Sequence, residues 1–419
     1  MTPHPASVMH EDPQFVFLPG LEVGDQEISR TFQPSFTVMR DGTLLCFCQG
    51  RLGSGGDDDL KVVLMNRSRD GGRTWEGQRA VNLPMNHFAI SSFRFEEGGV
   101  EKVAFVVCVD LNVTRNYYGG GTANWADPGF DLEGVPPETG CLLLRYVSED
   151  AGESWGVEPI TGEASFLEKP CQGYVPAFAN MIGQMQYIDS GADAGRLFTS
   201  GPVYGEPEGT PLTANFRNHD TIGSAVFYSD DHGASWQMDG LAADYLANES
   251  SAVRIHDGKE LLMVRRLNAE AMLRKKVPLT EWRPGFGYRI FQTSGDWGRT
   301  WSDYRAEPVS GVPCHGVLDR VGDRIYFSIP KGVGPAVERK HDIGRERGAI
   351  YFSDDEGATW NHRVIEPGTF SYSTVGRLNA EERICFYGKC AMGDGGVAYR
   401  VFTDAWLDEE REKGRVRAG

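Results

Sequence analysis

Short apolar runs recur along the chain, each ending at a polar, glycine-containing patch. They read KVVLMNR (61–67), CLLLRYV (141–147), SAVFY (224–228) and GAIYF (348–352). Runs of five to seven residues rich in β-branched and aromatic side chains predict strands rather than helices. In LLMVRR (261–266) a two-residue period places Leu262, Val264 and Arg266 on one face and Leu261, Met263 and Arg265 on the other.

The polar patches after the runs are nearly the same phrase. SRDGGRTW (68–75), SEDAGESW (148–155), SDDHGASW (229–236), SGDWGRTW (294–301) and SDDEGATW (353–360) share the form S-x-D-x-G-x-[ST]-W, with starts 80, 81, 65 and 59 residues apart. Each predicts a turn between two antiparallel strands. The aspartate accepts hydrogen bonds from turn amides, the glycine takes a positive φ at no steric cost, and the tryptophan covers the hairpin base. Self-similarity of this kind marks a repeat architecture. About 390 residues at ~65 per unit give six four-stranded units, the last closed by both ends of the chain.

Composition agrees: 52 glycines and 22 prolines in 419 residues suit a turn-rich all-β chain. A net charge of −17 argues against nucleic acid and anionic membranes as partners. No stretch reaches the ~18 apolar residues of a membrane span. The start, MTPHPASVMHEDPQFVFLPG, has no basic segment followed by an apolar run, so a cytoplasmic location is expected. Eight cysteines without a CxxC pair are then expected to be reduced and buried. No His/Cys cluster has ligand spacing, so neither metal nor cofactor is expected.

The repeated octapeptide resembles the aspartate boxes of the sialidase superfamily, and the chain is similar to glycoside hydrolase family 33 over most of its length. The resemblance implies a single all-β domain over 1–419, a six-bladed β-propeller, with an N-terminal extension to about residue 25 and a charged tail from 407. It assigns the boxes to the scaffold and the chemistry to the opposite, axial face. DGTLLCFCQGR (41–51) resembles the first blade, which implies substrate binding by Arg51 and an acid/base aspartate at Asp57, with Asp58 next. Three consecutive aspartates, 57–59, are expected to raise one another's pKa. NESSAVRIHDGKELLMVRR (248–266) resembles the segment with a glutamate and a later arginine, matched by Glu249 and Arg265, with Arg266 as the alternative register. RERGAIYFSDDEG (345–357) supplies Arg345, with Arg347 as its alternative, and FSYSTVGRLNAEERICFYG (370–388) supplies the tyrosine nucleophile at Tyr372. A neutral phenol approaches an anomeric carbon bearing a carboxylate without charge repulsion, while a nearby carboxylate takes its proton. The resemblance thus implies an exo-acting, retaining hydrolase of α-linked sialic or related ulosonic acids, with a small glycan or glycoconjugate as its partner.

The pattern breaks in three places. Phe32 stands where the family has its first clamp arginine, Gly388 where a glutamate braces that arginine, and Gln49 where a glutamate precedes Gly-Arg. A brace without its partner would be an unpaired buried charge, so joint loss costs little. Losing one clamp contact typically costs ~2–5 kcal/mol, leaving Arg265 and Arg345, unless Arg30 compensates. Two other readings stay open: a propeller glycosidase on a different sugar, and a non-catalytic glycan-binding propeller. The aromatic segment 116–134, with Tyr117, Tyr118 and Trp125, is a candidate ring-stacking loop. His315 reads as hydrogen-bonded scaffold.

Overall fold

A computed structural model describes residues 12–57, 59–111, 113–114, 140–182, 184–212, 221–242, 247–267, 289–303, 305, 309, 311–332, 344–389 and 395–409. Asp58, the 116–134 segment and the tail beyond 409 lie outside them. The chain forms six antiparallel sheets in chain order, a six-bladed propeller. The first is Arg30–Val38, Leu44–Arg51, Lys61–Ser68 and Arg79–Ala80; the second is Asn86–Glu97, Val100–Asp110, Cys141–Ser148 and Gly156–Ile160. In the third, Leu197–Pro207 pairs with Tyr174–Ala179, the short Gln186–Tyr187 and Thr221–Ser229. The fourth is Ala247–Ile255, Glu260–Leu267 and Arg289–Ser294, and the fifth is Val317–Val321, Arg324–Pro330, Glu346–Ser353 and Asn361–Thr369. The sixth is Ser371–Arg377, Glu382–Gly388 and Val397–Thr403, closed by Gln14–Phe17. The N-terminal stretch is therefore not a mere extension, because it supplies this last outer strand. The tail likewise begins inside the core, with Trp406 and Leu407 buried.

Apolar residues alternate to both faces of each sheet, and both faces are covered by neighbouring blades. Phe47, Phe105 and Tyr146 pack in one such layer, and Phe291, Phe327 and Tyr351 in another. This is why Arg265 and Arg266, on opposite faces of one strand, are both buried.

The five boxes are one structure repeated. In the third, Ser229 Oγ donates to Asp231 Oδ1 (2.8 Å) and accepts from the Gly233 amide (2.8 Å). Asp231 Oδ1 accepts from the Ser235 amide (2.8 Å) and Oδ2 from its hydroxyl (2.6 Å). Gly233 has φ +84°, and a Cβ there would lie 2.7 Å from Cζ of Phe93 in the second blade. The glycine is therefore fixed by backbone shape and by blade packing together. Trp236 is buried and donates to the Gly233 carbonyl at 3.1 Å. The serine and aspartate oxygens of the motif are used within the turn, which makes it a scaffold element.

Removing the hub carboxylate should destabilise without touching the axial site. Asp231→Ala is expected to cost about 1–3 kcal/mol in denaturant unfolding, with any catalytic turnover per folded molecule unchanged. At Asp150 burial pushes the carboxyl up, but the Ser154 hydroxyl and amide outweigh it and hold it at about 2. Stability from such a group is complete above the ordinary aspartate pKa of ~3.9 and is lost as pH falls toward 2. Acid unfolding curves of wild type and Asp150→Asn should therefore converge at low pH.

Candidate active site

Strand direction decides which residues meet. Each box follows the third strand of its blade, so the start of that strand lies at the opposite face. So do the start of the first strand and the end of the second. Tyr372, Glu249 and Phe32 lie at starts of first strands, Arg51 and Arg266 at ends of second strands, and Lys61, Arg289 and Arg345 at or just before starts of third strands. All eight come to the end of the propeller away from the boxes.

The innermost strands carry irregularities at this end. Register shifts fall between Phe32 and Ser35, Phe88 and Ser91, Ala247 and Ser250, and Ser371 and Ser373. Glu249 and Tyr372 lie in two of these bulges, and Tyr372 has φ +33°, unusual for a non-glycine residue. A bulge re-aims a side chain that regular pleating would send into the sheet packing.

The Tyr372 hydroxyl donates to Glu249 Oε1 at 2.5 Å, and Arg266 Nη1 donates to Glu249 Oε2. The same Nη1 lies 3.5 Å from the tyrosine oxygen. Arg345 stands with its guanidinium carbon 5.3 Å from the Tyr372 ring centroid and donates to the Pro313 carbonyl (3.2 and 3.3 Å). Arg347, with φ +56°, is exposed. The Tyr372 amide meets Cys314 Sγ at 3.2 Å. Burial pushes the Glu249 carboxyl up, but Arg266 and the Tyr372 hydroxyl pull it down further, to about 2. Burial, then the Glu249 charge, drives the Tyr372 phenol well above its usual range. The resting pair is a neutral phenol on an ionised carboxylate.

The arginine taken from the resemblance, Arg265, is not at this site. Its guanidinium donates to Gln292 Oε1 (2.8 Å), the Ala242 carbonyl (2.8 Å) and Ser224 Oγ (3.2 Å), between blades. Arg266 takes the axial place. The sequence also gave no reason to single out Arg289, which lies directly across the sheet from Arg266 and is fully buried. Burial, then repulsion from Arg266, lowers it to about 10. Its signal was its position, a cation opening the strand that leads to a box. Arg266, Arg289 and Arg345 thus gather with Glu249 at one end of the propeller.

On the first-blade side, Asp57 is exposed and pairs with Arg51 at 2.7 Å. Asp59 turns instead to Ser54 Oγ and the Gly56 amide, each at 2.7 Å. Asp57 and Asp59 thus turn to different partners, while Asp58, the third carboxylate of the run, lies outside the described residues. Arg51 also receives support from Gln49 Oε1 (3.1 and 3.3 Å) and lies 4.7 Å over the Phe32 ring. Phe32 is buried with its ring 4.4 Å from that of Tyr372. A Cβ at Gly388 would come within 2.8 Å of Ser371 Oγ, so no glutamate could sit there without rearrangement. Phe32 and Ser371 fill the region of the absent clamp arginine and its brace. His315 is buried, bonded to the Ile182 carbonyl, and lowered to about 4, first by burial.

The propeller superposes on solved sialidases. The Hadza microbial sialidase Hz136 aligns with a TM-score of 0.61 at 17% identity, over 90% of this chain and 66% of that one. The fold is that of the sialidases. A BNR/Asp-box repeat profile matches residues 227–238, the third box. The sialidase of Micromonospora viridifaciens is 27% identical over 378 residues, and that of Paraclostridium sordellii 22% identical over 400. These alignments cover 89% and 91% of this chain and 51% and 85% of the relatives, so the chain spans about half the length of the Micromonospora protein. An intramolecular trans-sialidase from Ruminococcus gnavus aligns with a TM-score of 0.57 at 16% identity, covering 90% of this sialidase-type propeller and 95% of that chain.

Glu249 and Arg266 should prove strongly coupled. Arg266→Met removes the cation bonded to the buried Glu249 carboxylate and is expected to cost about 3–5 kcal/mol in denaturant unfolding. Adding Glu249→Gln should recover at least half of that loss; additive effects would show that the pair does not interact.

Proposed function

We propose that the chain is an exo-acting retaining glycosidase that removes an α-linked sialic acid or related ulosonic acid. The observation that carries this reading is the buried Tyr372–Glu249 hydrogen bond of 2.5 Å, with Arg266 on the other carboxylate oxygen and Arg345 beside the ring. Relatives and structural neighbours named sialidases support the same class.

Arg266 and Arg345 hold the sugar carboxylate and so place the anomeric carbon over the phenol. Tyr372 Oη attacks that carbon. Its proton passes to Glu249 as the new C–O bond forms, because the phenol becomes acidic only when its oxygen donates electrons. Asp57 protonates the leaving oxygen, which keeps the electron pair of the broken bond. The resulting carboxylate then removes a proton from the water that attacks the anomeric carbon of the tyrosyl intermediate; the bond to Tyr372 Oη breaks with its electron pair on the oxygen, and Glu249 returns its proton there. Two inversions give net retention. Phe32 offers apolar surface where the family clamp has a charge, so the carboxylate is held from the fourth- and fifth-blade side. This asymmetry favours a non-standard ulosonic acid within the class.

The test is hydrolysis of aryl α-glycosides of the common sialic acid, its deaminated analogue, a shorter ulosonic acid and neutral sugars. Turnover is expected on an acidic 2-keto sugar, with the α-anomer released first by NMR. Tyr372→Phe should lower kcat/KM by about 10³-fold or more. Turnover of neutral sugars alone, or silence on the whole panel by folded protein, would defeat the proposal.

With Glu249 held at about 2, its protonation cannot limit the reaction near neutrality. For a nitrophenyl substrate, which needs little acid help, kcat/KM should stay level down to about pH 4. A limb attributable to Glu249 at pH 5–6, absent in Glu249→Gln, would contradict that assignment.

A further inference from the structure

The loop bearing Asp57 is short and rich in glycine, with positive φ at Gly53 and Gly55. Such a segment has many accessible conformations, yet an acid/base group acts only when held near the bond it serves. Two cations flank it as direct cross-strand partners, Arg51 at the end of one strand and Lys61 at the start of the next. They grip different parts. Arg51 holds the Asp57 carboxylate at 2.7 Å and the Gly55 carbonyl at 3.3 Å. Lys61 Nζ donates to the carbonyls of Asp57 (2.7 Å) and Asp59 (2.9 Å), and to Asn86 Oδ1 at 3.4 Å.

Lys61 is 0% exposed, and Nζ lies 4.5 Å from the Phe88 ring centroid. An ammonium is costly to bury unless its donors are matched. Two main-chain carbonyls and the Asn86 side chain are among the acceptors that meet this need. An apolar residue would serve the sheet equally well, as Val62, Val63 and Leu64 do beside it. The charge is explained by the loop, not by the strand.

We propose that Lys61 is a positioning residue for the acid/base step. It fixes the main chain at Asp57 and Asp59, so the exposed Asp57 side chain can leave Arg51, take up a proton from solvent and reach the leaving-group oxygen as the neutral acid while its backbone stays in place. The inference rests on the role proposed above for Asp57.

The test compares wild type, Lys61→Met, Lys61→Arg and Asp57→Asn on two ketosides of one sugar. One carries a nitrophenyl leaving group, the other a sugar alcohol oxygen that must be protonated to depart. Lys61→Met is expected to lose about 10²-fold in kcat/KM on the second substrate and less than about 3-fold on the first. Lys61→Arg should restore most of the loss, and Asp57→Asn should show the same asymmetry. Equal losses on both substrates, or no loss, would overturn the proposal for Lys61 while leaving the functional reading intact. If wild type hydrolyses neither, that reading has failed, and hydrogen exchange over 52–60 decides the grip. Protection should fall at least about 10-fold in Lys61→Met if the lysine holds the loop; unchanged protection would overturn it.

Discussion

Everything at the axis depends on closing the ring. The outer strand of the sixth sheet is Gln14–Phe17, from the start of the chain, laid against Val397–Thr403 near its end. With that pairing the first and sixth blades come together: Phe36 meets Phe386, and Tyr399 packs against Trp75 of the first box. The Phe32–Tyr372 contact is a consequence of the same closure, since the two residues are 340 positions apart in sequence and belong to the joined blades. Without closure the sixth sheet would expose an unpaired edge, and the nucleophile candidate would lose its first-blade wall.

The two ends of the propeller use charge in opposite ways. At the box end each aspartate is satisfied inside its own turn, by hydroxyls and amides of the same eight residues. At the axial end charged side chains reach across elements: Arg266 donates to Glu249, while Arg289 and Arg345 donate to main-chain carbonyls of the stretch 312–314. The net charge of −17 is screened at long range, while these arginines act at short range.

The missing clamp arginine is a repacked region, not a hole. Phe32 lies between Arg51 and Tyr372, and Ser371 occupies the space next to Gly388. Arg51, the first-blade arginine that remains, is engaged with Gln49 and Asp57. This wall therefore joins the acid/base candidate to the tyrosine through a stack of side chains.

The sequence by itself determined the blades, because the box is a local structure whose serine, aspartate, glycine and tryptophan need no distant partner to be recognised. Residue types alone did not pair Tyr372 with Glu249; the resemblance suggested the pair, and the fold brings the two together. The sequence also left Arg265 and Arg266 undecided, for a period of two gives two faces without saying which one meets the axis. The register shift between Ala247 and Ser250 and the packing of the neighbouring blades decided that, turning Arg266 to Glu249 and Arg265 to Gln292. Arg289 and Lys61 were equally hidden, since both donate to main-chain carbonyls, which carry no signature in sequence. The Asp57–Asp59 run looked like a cluster of repelling charges, yet the loop sends Asp57 to Arg51 and Asp59 to Ser54 and the Gly56 amide. Local patterns fix what a residue can do, but only the closed ring, which sets distances between residues hundreds of positions apart, fixes what it meets.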